Sequence, residues 1–271
     1  MNKFKYPYKS RYPYKKFYLY VDDINKIHIK LYGNPKGIPV LYSFGGPGGY
    51  SMNNKLSKLF NLKYYHLIVY DQRGIGLSKP NFSIKNNNTK NLIKDIEMIR
   101  DYLKIKKMIV TGGSWGAMLS IIYAMEHPEN IITYVASAGC YNFSKNIWPI
   151  SVKNMFPLKW YNFCKLVNIS DKDIKNPNLK IEKEICKRYF NKIKKKEKKY
   201  IDSWYEFEND LLYVNKKKEK KMEKKDIEQK YFITFYESLY YYKNFFVSSN
   251  YFINNIDKIK NIKGYFLHGN L

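Results

Sequence analysis

Lys107-Met-Ile-Val-Thr-Gly-Gly-Ser-Trp-Gly-Ala117, running on into Met-Leu-Ser-Ile-Ile-Tyr-Ala-Met-Glu126, decides how this chain is read. Lys107 to Thr111 is apolar and β-branched, the composition of a buried strand. Gly112 to Gly116 reads as a turn and Ala117 to Glu126 as an apolar helix, closed by His127-Pro128-Glu129 because proline cannot continue a helix interior. Strand, glycine-flanked serine, helix is the setting in which a G-x-S-x-G segment makes a nucleophile. The turn is expected to lift the Ser114 hydroxyl clear of the sheet. It would also set the backbone N–H of Trp115, at a helix N-terminus, where an oxyanion forms.

Working outward, Phe17 to Val21, Lys26 to Tyr32, Ile38 to Phe44 and Tyr65 to Tyr70 have strand-like patterns separated by turn-rich segments, the last ending in Asp71-Gln-Arg-Gly-Ile-Gly76. Asn91 to Leu103 spaces Leu92, Ile96, Ile99 and Leu103 as one helical face, with Thr89 as a candidate N-cap. Ile131 to Ala136 adds a strand. Strands alternating with helices predict an α/β fold, a mostly parallel sheet flanked by helices. From Tyr141 the alternation stops. Residues 141–252 read as an inserted, mainly helical cap, and the sheet pattern returns only at Gly264-Tyr-Phe-Leu-His-Gly269. The expected organisation is 1–140 as the N-terminal part of the core, 141–252 as the cap and 253–271 as the start of the core's C-terminal part. Directly after the third strand, Phe44-Gly-Gly-Pro-Gly-Gly49 forms a loop with little side-chain bulk, and the Gly46 amide is the candidate second oxyanion donor.

Composition narrows the function classes. With 45% hydrophobic and 18% aromatic residues, a mean hydropathy of -0.55 does not signal disorder. The net charge of +26 would suit a polyanion, but lysine is spread along the whole chain rather than gathered on a face, so no nucleic-acid partner is expected. Cys140, Cys164 and Cys186 have neither metal-ligand spacing nor an even count. No metal or other cofactor is expected. Without a secretory h-region or an 18-residue apolar run, the expectation is a cytoplasmic protein with no membrane partner. The oligomeric state is not legible.

The motifs together resemble the proline iminopeptidases of the α/β-hydrolase superfamily: Phe44-Gly-Gly-Pro-Gly, Asp71-Gln-Arg-Gly-Ile-Gly-Leu-Ser78, Asn87-Asn-Thr89 with Asp95-Ile-Glu97 and Arg100, Gly112-Gly-Ser-Trp-Gly116 and His127-Pro-Glu129, in that order. Gly33-Asn-Pro-Lys-Gly37, Phe156-Pro157 and Trp160 extend the likeness, while the lysine-rich middle of the cap matches poorly. The resemblance implies an α/β-hydrolase fold with a helical cap. It also implies a serine aminopeptidase that releases an N-terminal residue, preferably proline, from a peptide with a free N-terminus. Cap carboxylates hold the substrate's ammonium in that family, and the matching positions here are Glu208 and Glu237.

Two departures stand out. Phe44 occupies a position where the family usually has histidine. The family's His-Gly-Arg-Tyr-Asp segment corresponds to His268-Gly-Asn-Leu271, so the triad acid would fall on the following residue and the catalytic histidine later still. His28, His66, His127 and His268 are each expected to be structural. The resulting expectation is a chain lacking the triad Asp and His together with the last strands and helices of the core, as a fragment or a truncated product. Two alternatives stand beside it: a catalytically dead peptide-binding relative, and an α/β-hydrolase acting on another small ester or amide.

Overall fold

The structure, a computed structural model, describes residues 7–139, 153–212 and 223–268. Cys140 and the Gly269-Asn-Leu271 segment lie outside the described residues. The chain divides into two compact units, Met1–Tyr141 with Phe252–Leu271, and Asn142–Tyr251.

The first unit is built on a seven-stranded sheet. Its strands are β1 (Lys15–Tyr20), β2 (Lys26–Gly33), β3 (Ile38–Ser43), β4 (Tyr65–Tyr70), β5 (Met108–Gly113), β6 (Ile131–Ser137) and β7 (Gly264–Leu267), in the order β1-β2-β4-β3-β5-β6-β7. β1 and β2 form an antiparallel pair, β2 joins β4 antiparallel, and every later pairing is parallel. β1 begins at Lys15, two residues earlier than its apolar pattern suggests, because its register opposite β2 continues to Lys15↔Leu31. From β3 the chain goes to one side, to β4, and then through helix α1 (Thr89–Tyr102) to the other, to β5. The strand order therefore reverses between β3 and β5. A crevice outside the carboxyl ends of the strands is expected at such a reversal.

Ser114 sharpens the boundaries read from sequence. β5 extends through Gly112 and Gly113, which pair with Ala136 and Ser137 of β6, and helix α2 (Trp115–Glu126) begins immediately after Ser114. The five-residue turn expected from sequence is thus a one-residue reversal. Ser114 absorbs it at φ 54°, ψ -123°, so its neighbours keep strand and helix geometry. Residues Trp115 to Met125 of α2 are all buried, as expected for a helix apolar on every side and packed on β5 and β6. α1 starts two residues before its predicted span. Its N-cap is Asn88 rather than Thr89: Asn88 is extended and its side chain accepts from the Asn91 amide at 3.0 Å, leaving Thr89 as the first helical residue.

In the second unit, helices α3 (Pro157–Leu166), α4 (Asp171–Lys175), α5 (Leu179–Lys194), α6 (Lys198–Leu212) and α7 (Lys224–Tyr242) carry an aromatic core. Phe163 stacks on Tyr189 at 4.2 Å and on Phe207 at 4.1 Å between centroids, with the fully buried Trp204 beside them. α5 turns Glu182, Ile185, Cys186, Tyr189, Phe190 and Ile193 inward, the i, i+3, i+4, i+7 stripe of an amphipathic helix with a carboxylate at its first position.

Candidate active site

Register brings the two candidate oxyanion loops together. Ser43, the last residue of β3, pairs with Gly112 of β5, so the Phe44–Gly49 loop and the Ser114 turn leave adjacent strands at the same edge. Contact there is close enough to exclude side chains. A Cβ on Gly116 would meet the Ser43 carbonyl oxygen at 2.0 Å, and one on Gly45 would stand 2.7 Å from the Gly113 oxygen and 3.2 Å from Ser114 Cβ. Gly45 therefore lies against the Ser114 turn. Gly46 follows at φ +107°, ahead of a cis Gly46–Pro47 bond, and the Gly49 amide closes the loop onto the Gly45 oxygen at 3.0 Å.

Ser114 is exposed, and its amide donates to the Ser137 oxygen at 2.8 Å. Positive φ on a residue with a Cβ costs on the order of 1–3 kcal/mol and persists where the surroundings hold it. Here the holding groups are the β5–β6 pairing on one side and the first turn of α2 on the other. The Trp115 N–H is among the first amides of α2 and lies at the helix's positive end. An exposed hydroxyl, a helix N-terminus and a glycine loop alongside are the parts that acyl transfer from an ester or amide requires. Among the described residues no side chain hydrogen-bonds the Ser114 hydroxyl.

The histidines are placed as follows. His28, in β2, lies 3.4 Å from the buried Asp71 carboxylate without a hydrogen bond, and His66 Nε2 meets the Tyr14 hydroxyl at 2.8 Å. Burial lowers the His66 pKa. His127 caps α2 and lies 3.7 Å from Glu129, while His268 is exposed after β7. Phe44 packs edge-on to Tyr42 at 5.2 Å and joins the cluster of Tyr32, Val40, Leu67 and Val69, so an apolar anchor holds the loop where the family pattern has an imidazole.

One contributor had no role assigned from sequence. Gln72, in the turn after β4, is 1% exposed. Its Nε2 donates to the Phe44 carbonyl oxygen at 2.9 Å, and its Oε1 accepts from Trp115 Nε1 at 3.0 Å. The only signal in the sequence was its position inside Asp71–Ser78. Next to it, Arg73 forms a two-pronged bond with Asp95 at 2.6 Å and reaches Asp22 at 2.5 Å, which ties the same turn to α1.

Within the second unit, Glu237 of α7 is 9% exposed and accepts from Trp204 Nε1 at 2.9 Å. Burial, and then the Glu208 charge, push its carboxyl well above the usual range. The structure thus brings Glu208 and Glu237, 29 positions apart, within electrostatic reach of each other. Carboxylates so crowded gain from a cation between them. Glu182 was not singled out from sequence, and burial raises it to about 7. Cys164 and Cys186 are free and buried. Among the described residues no His, Cys, Asp and Glu group suits a metal ion, and no helix is long and apolar enough to cross a membrane.

Residues 38–163 match the family described as alpha/beta hydrolase fold. A putative proline iminopeptidase of Mycoplasma genitalium is 30% identical over 254 residues, a match covering 93% of this chain and 81% of that one. A proline iminopeptidase of Arabidopsis thaliana is 27% identical over 274 residues, and the match spans 93% of this chain but 66% of that protein's length. One from Neisseria meningitidis is 36% identical over 151 residues, covering 54% of this chain and 48% of the relative. Among solved structures, a putative epoxide hydrolase from Klebsiella pneumoniae superposes with a TM-score of 0.58 at 15% identity, over 94% of this chain and 80% of that one. A Vigna radiata epoxide hydrolase mutant gives 0.55 at 16% identity, over 94% and 80%. At such identities these two speak for the fold alone.

Proposed function

Because this chain belongs to the proline iminopeptidase family of α/β-hydrolases, we propose that it is a serine aminopeptidase whose nucleophile is Ser114 and whose substrate is a peptide with a free, preferably prolyl, N-terminus. Ser114 Oγ attacks the carbonyl carbon of the N-terminal residue, and the amides of Gly46 and Trp115 receive the oxyanion. Glu208 and Glu237 hold the substrate's ammonium. That pairing is what separates an aminopeptidase from an esterase, since an ester needs no partner for a cation. The observation that carries the reading is Ser114 itself, exposed at φ 54° between a strand and a helix with the Gly45 backbone against it.

A serine hydroxyl at its ordinary pKa is a weak nucleophile and needs a base. His28 and His66 face Asp71 and Tyr14, and His127 faces Glu129. None of these three is therefore assigned as the base of Ser114.

The test is turnover of L-proline p-nitroanilide. Ser114→Ala should abolish turnover without disturbing the fold, and undiminished activity in that variant removes Ser114 as nucleophile. Glu208→Gln or Glu237→Gln should raise KM for the free amine. Equal turnover of the N-acetylated substrate would instead favour an enzyme for other small amides or esters.

A further inference from the structure

The two amides assigned to the oxyanion belong to segments 69 positions apart, Gly46 after β3 and Trp115 after β5. Their separation must be fixed to a fraction of an ångström if both are to meet one oxygen. Backbone pairing of Ser43 with Gly112 aligns the strands but ends before either amide.

Gln72 spans that gap. The Phe44 carbonyl oxygen only accepts and the Trp115 indole N–H only donates, so the partners themselves dictate which end of the Gln72 amide faces which. The bonded Phe44 carbonyl belongs to the peptide unit just before the one that carries the Gly46 N–H. The bonded indole belongs to the residue whose own N–H is the other donor. We infer that Gln72 is a positioning residue for the oxyanion site, a buried crossbrace that sets the two donor amides relative to each other by holding Phe44 and Trp115 at once. This rests on Ser114 being the nucleophile with Gly46 and Trp115 as donors. A planar primary amide can donate and accept in this way; a carboxylate cannot donate, and an alkyl side chain does neither.

The experiment compares wild type, Gln72→Leu, Gln72→Glu and Ser114→Ala. Two ligands are used: the boronic acid analogue of proline and prolinamide. Ser114 Oγ donates an electron pair to boron, one B–O bond forms, the hydroxyl proton passes to solvent, and the tetrahedral boronate anion places one of its hydroxyl oxygens at the donor amides. Prolinamide reports ground-state binding without that oxygen. In both Gln72 variants, boronate affinity should fall about 10- to 100-fold while prolinamide affinity stays within about twofold. Amide hydrogen exchange across residues 44–49 should quicken.

Ser114-dependent boronate binding that is insensitive to both Gln72 variants overturns the crossbrace. So does unchanged exchange at residues 44–49. Boronate binding equal in wild type and Ser114→Ala overturns the nucleophile reading, and the role given to Gln72 falls with it. If Gln72→Leu fails to fold, Gln72→Glu decides at a pH where the new carboxyl is ionised, since it then keeps the acceptor for Trp115 and loses the donor to Phe44.

Discussion

Trp204 donates its indole N–H to Glu237 Oε2 across 2.9 Å, and so gives the buried carboxyl one donor where an ionised group would want several. Burial and the Glu208 charge outweigh that bond and raise the Glu237 pKa. The folded protein therefore retains a proton that the unfolded chain gives up above its ordinary glutamate pKa, about 4.3. Stability from this group falls as pH rises through that value toward the raised one. Glu237→Gln, which keeps the acceptor for Trp204, should gain on wild type between about pH 5 and pH 8. Urea midpoints at the two pH values check this, and a constant difference between the proteins would refute it.

Glu182 offers a clearer case because it occupies the apolar stripe of α5. Burial raises it from 4.5 to about 7. By the same sign, its contribution declines between those two values, by about 3 kcal/mol in all. Glu182→Leu should stabilise the protein at about pH 8 by roughly that amount, and by much less at about pH 4 where the wild-type acid is neutral. A gain independent of pH would mean that packing rather than ionisation limits this position.

Two glycines of the same motif should respond oppositely. A Cβ on Gly116 meets the Ser43 oxygen at 2.0 Å, whereas one on Gly113 meets nothing closer than the Ser137 oxygen at 3.9 Å. Gly116→Ala must push β3 away from α2 and should cost about 3 kcal/mol or more, while Gly113→Ala stays within about 1 kcal/mol. Thermal denaturation of the pair measures the contrast.

Arg73 and Asp95 are 3% and 0% exposed and joined by two bonds of 2.6 Å. Burial raises Asp95 to about 6 against the opposing pull of Arg73. Arg73→Leu leaves that carboxylate buried without its main partner and should destabilise by about 3–5 kcal/mol. The double variant Arg73→Leu with Asp95→Leu should recover most of the loss, because the unpaired buried charge is gone. Equal losses in single and double variants would show that the helix contact, not the charge, is what matters.

Local pattern alone determined much of this protein. The β-branched runs mark the strands, the serine between glycines marks the turn after β5, and the second glycine loop is visible directly after β3. These are properties of short segments, set by backbone sterics and hydrophobic period, so they can be read along the chain. Segment ends were less legible: Asn88 rather than Thr89 caps α1, because the choice depends on which side chain reaches the Asn91 amide. Tertiary structure decided the rest. Only the order β4-β3-β5 places the Phe44 loop beside Ser114, and only that adjacency gives Gln72 its two partners, 28 and 43 positions away. Glu182 reads in sequence as one more charge on a lysine-rich helix. Its burial appears when α5 packs against α7, because desolvation is a property of what surrounds a residue and not of the residue.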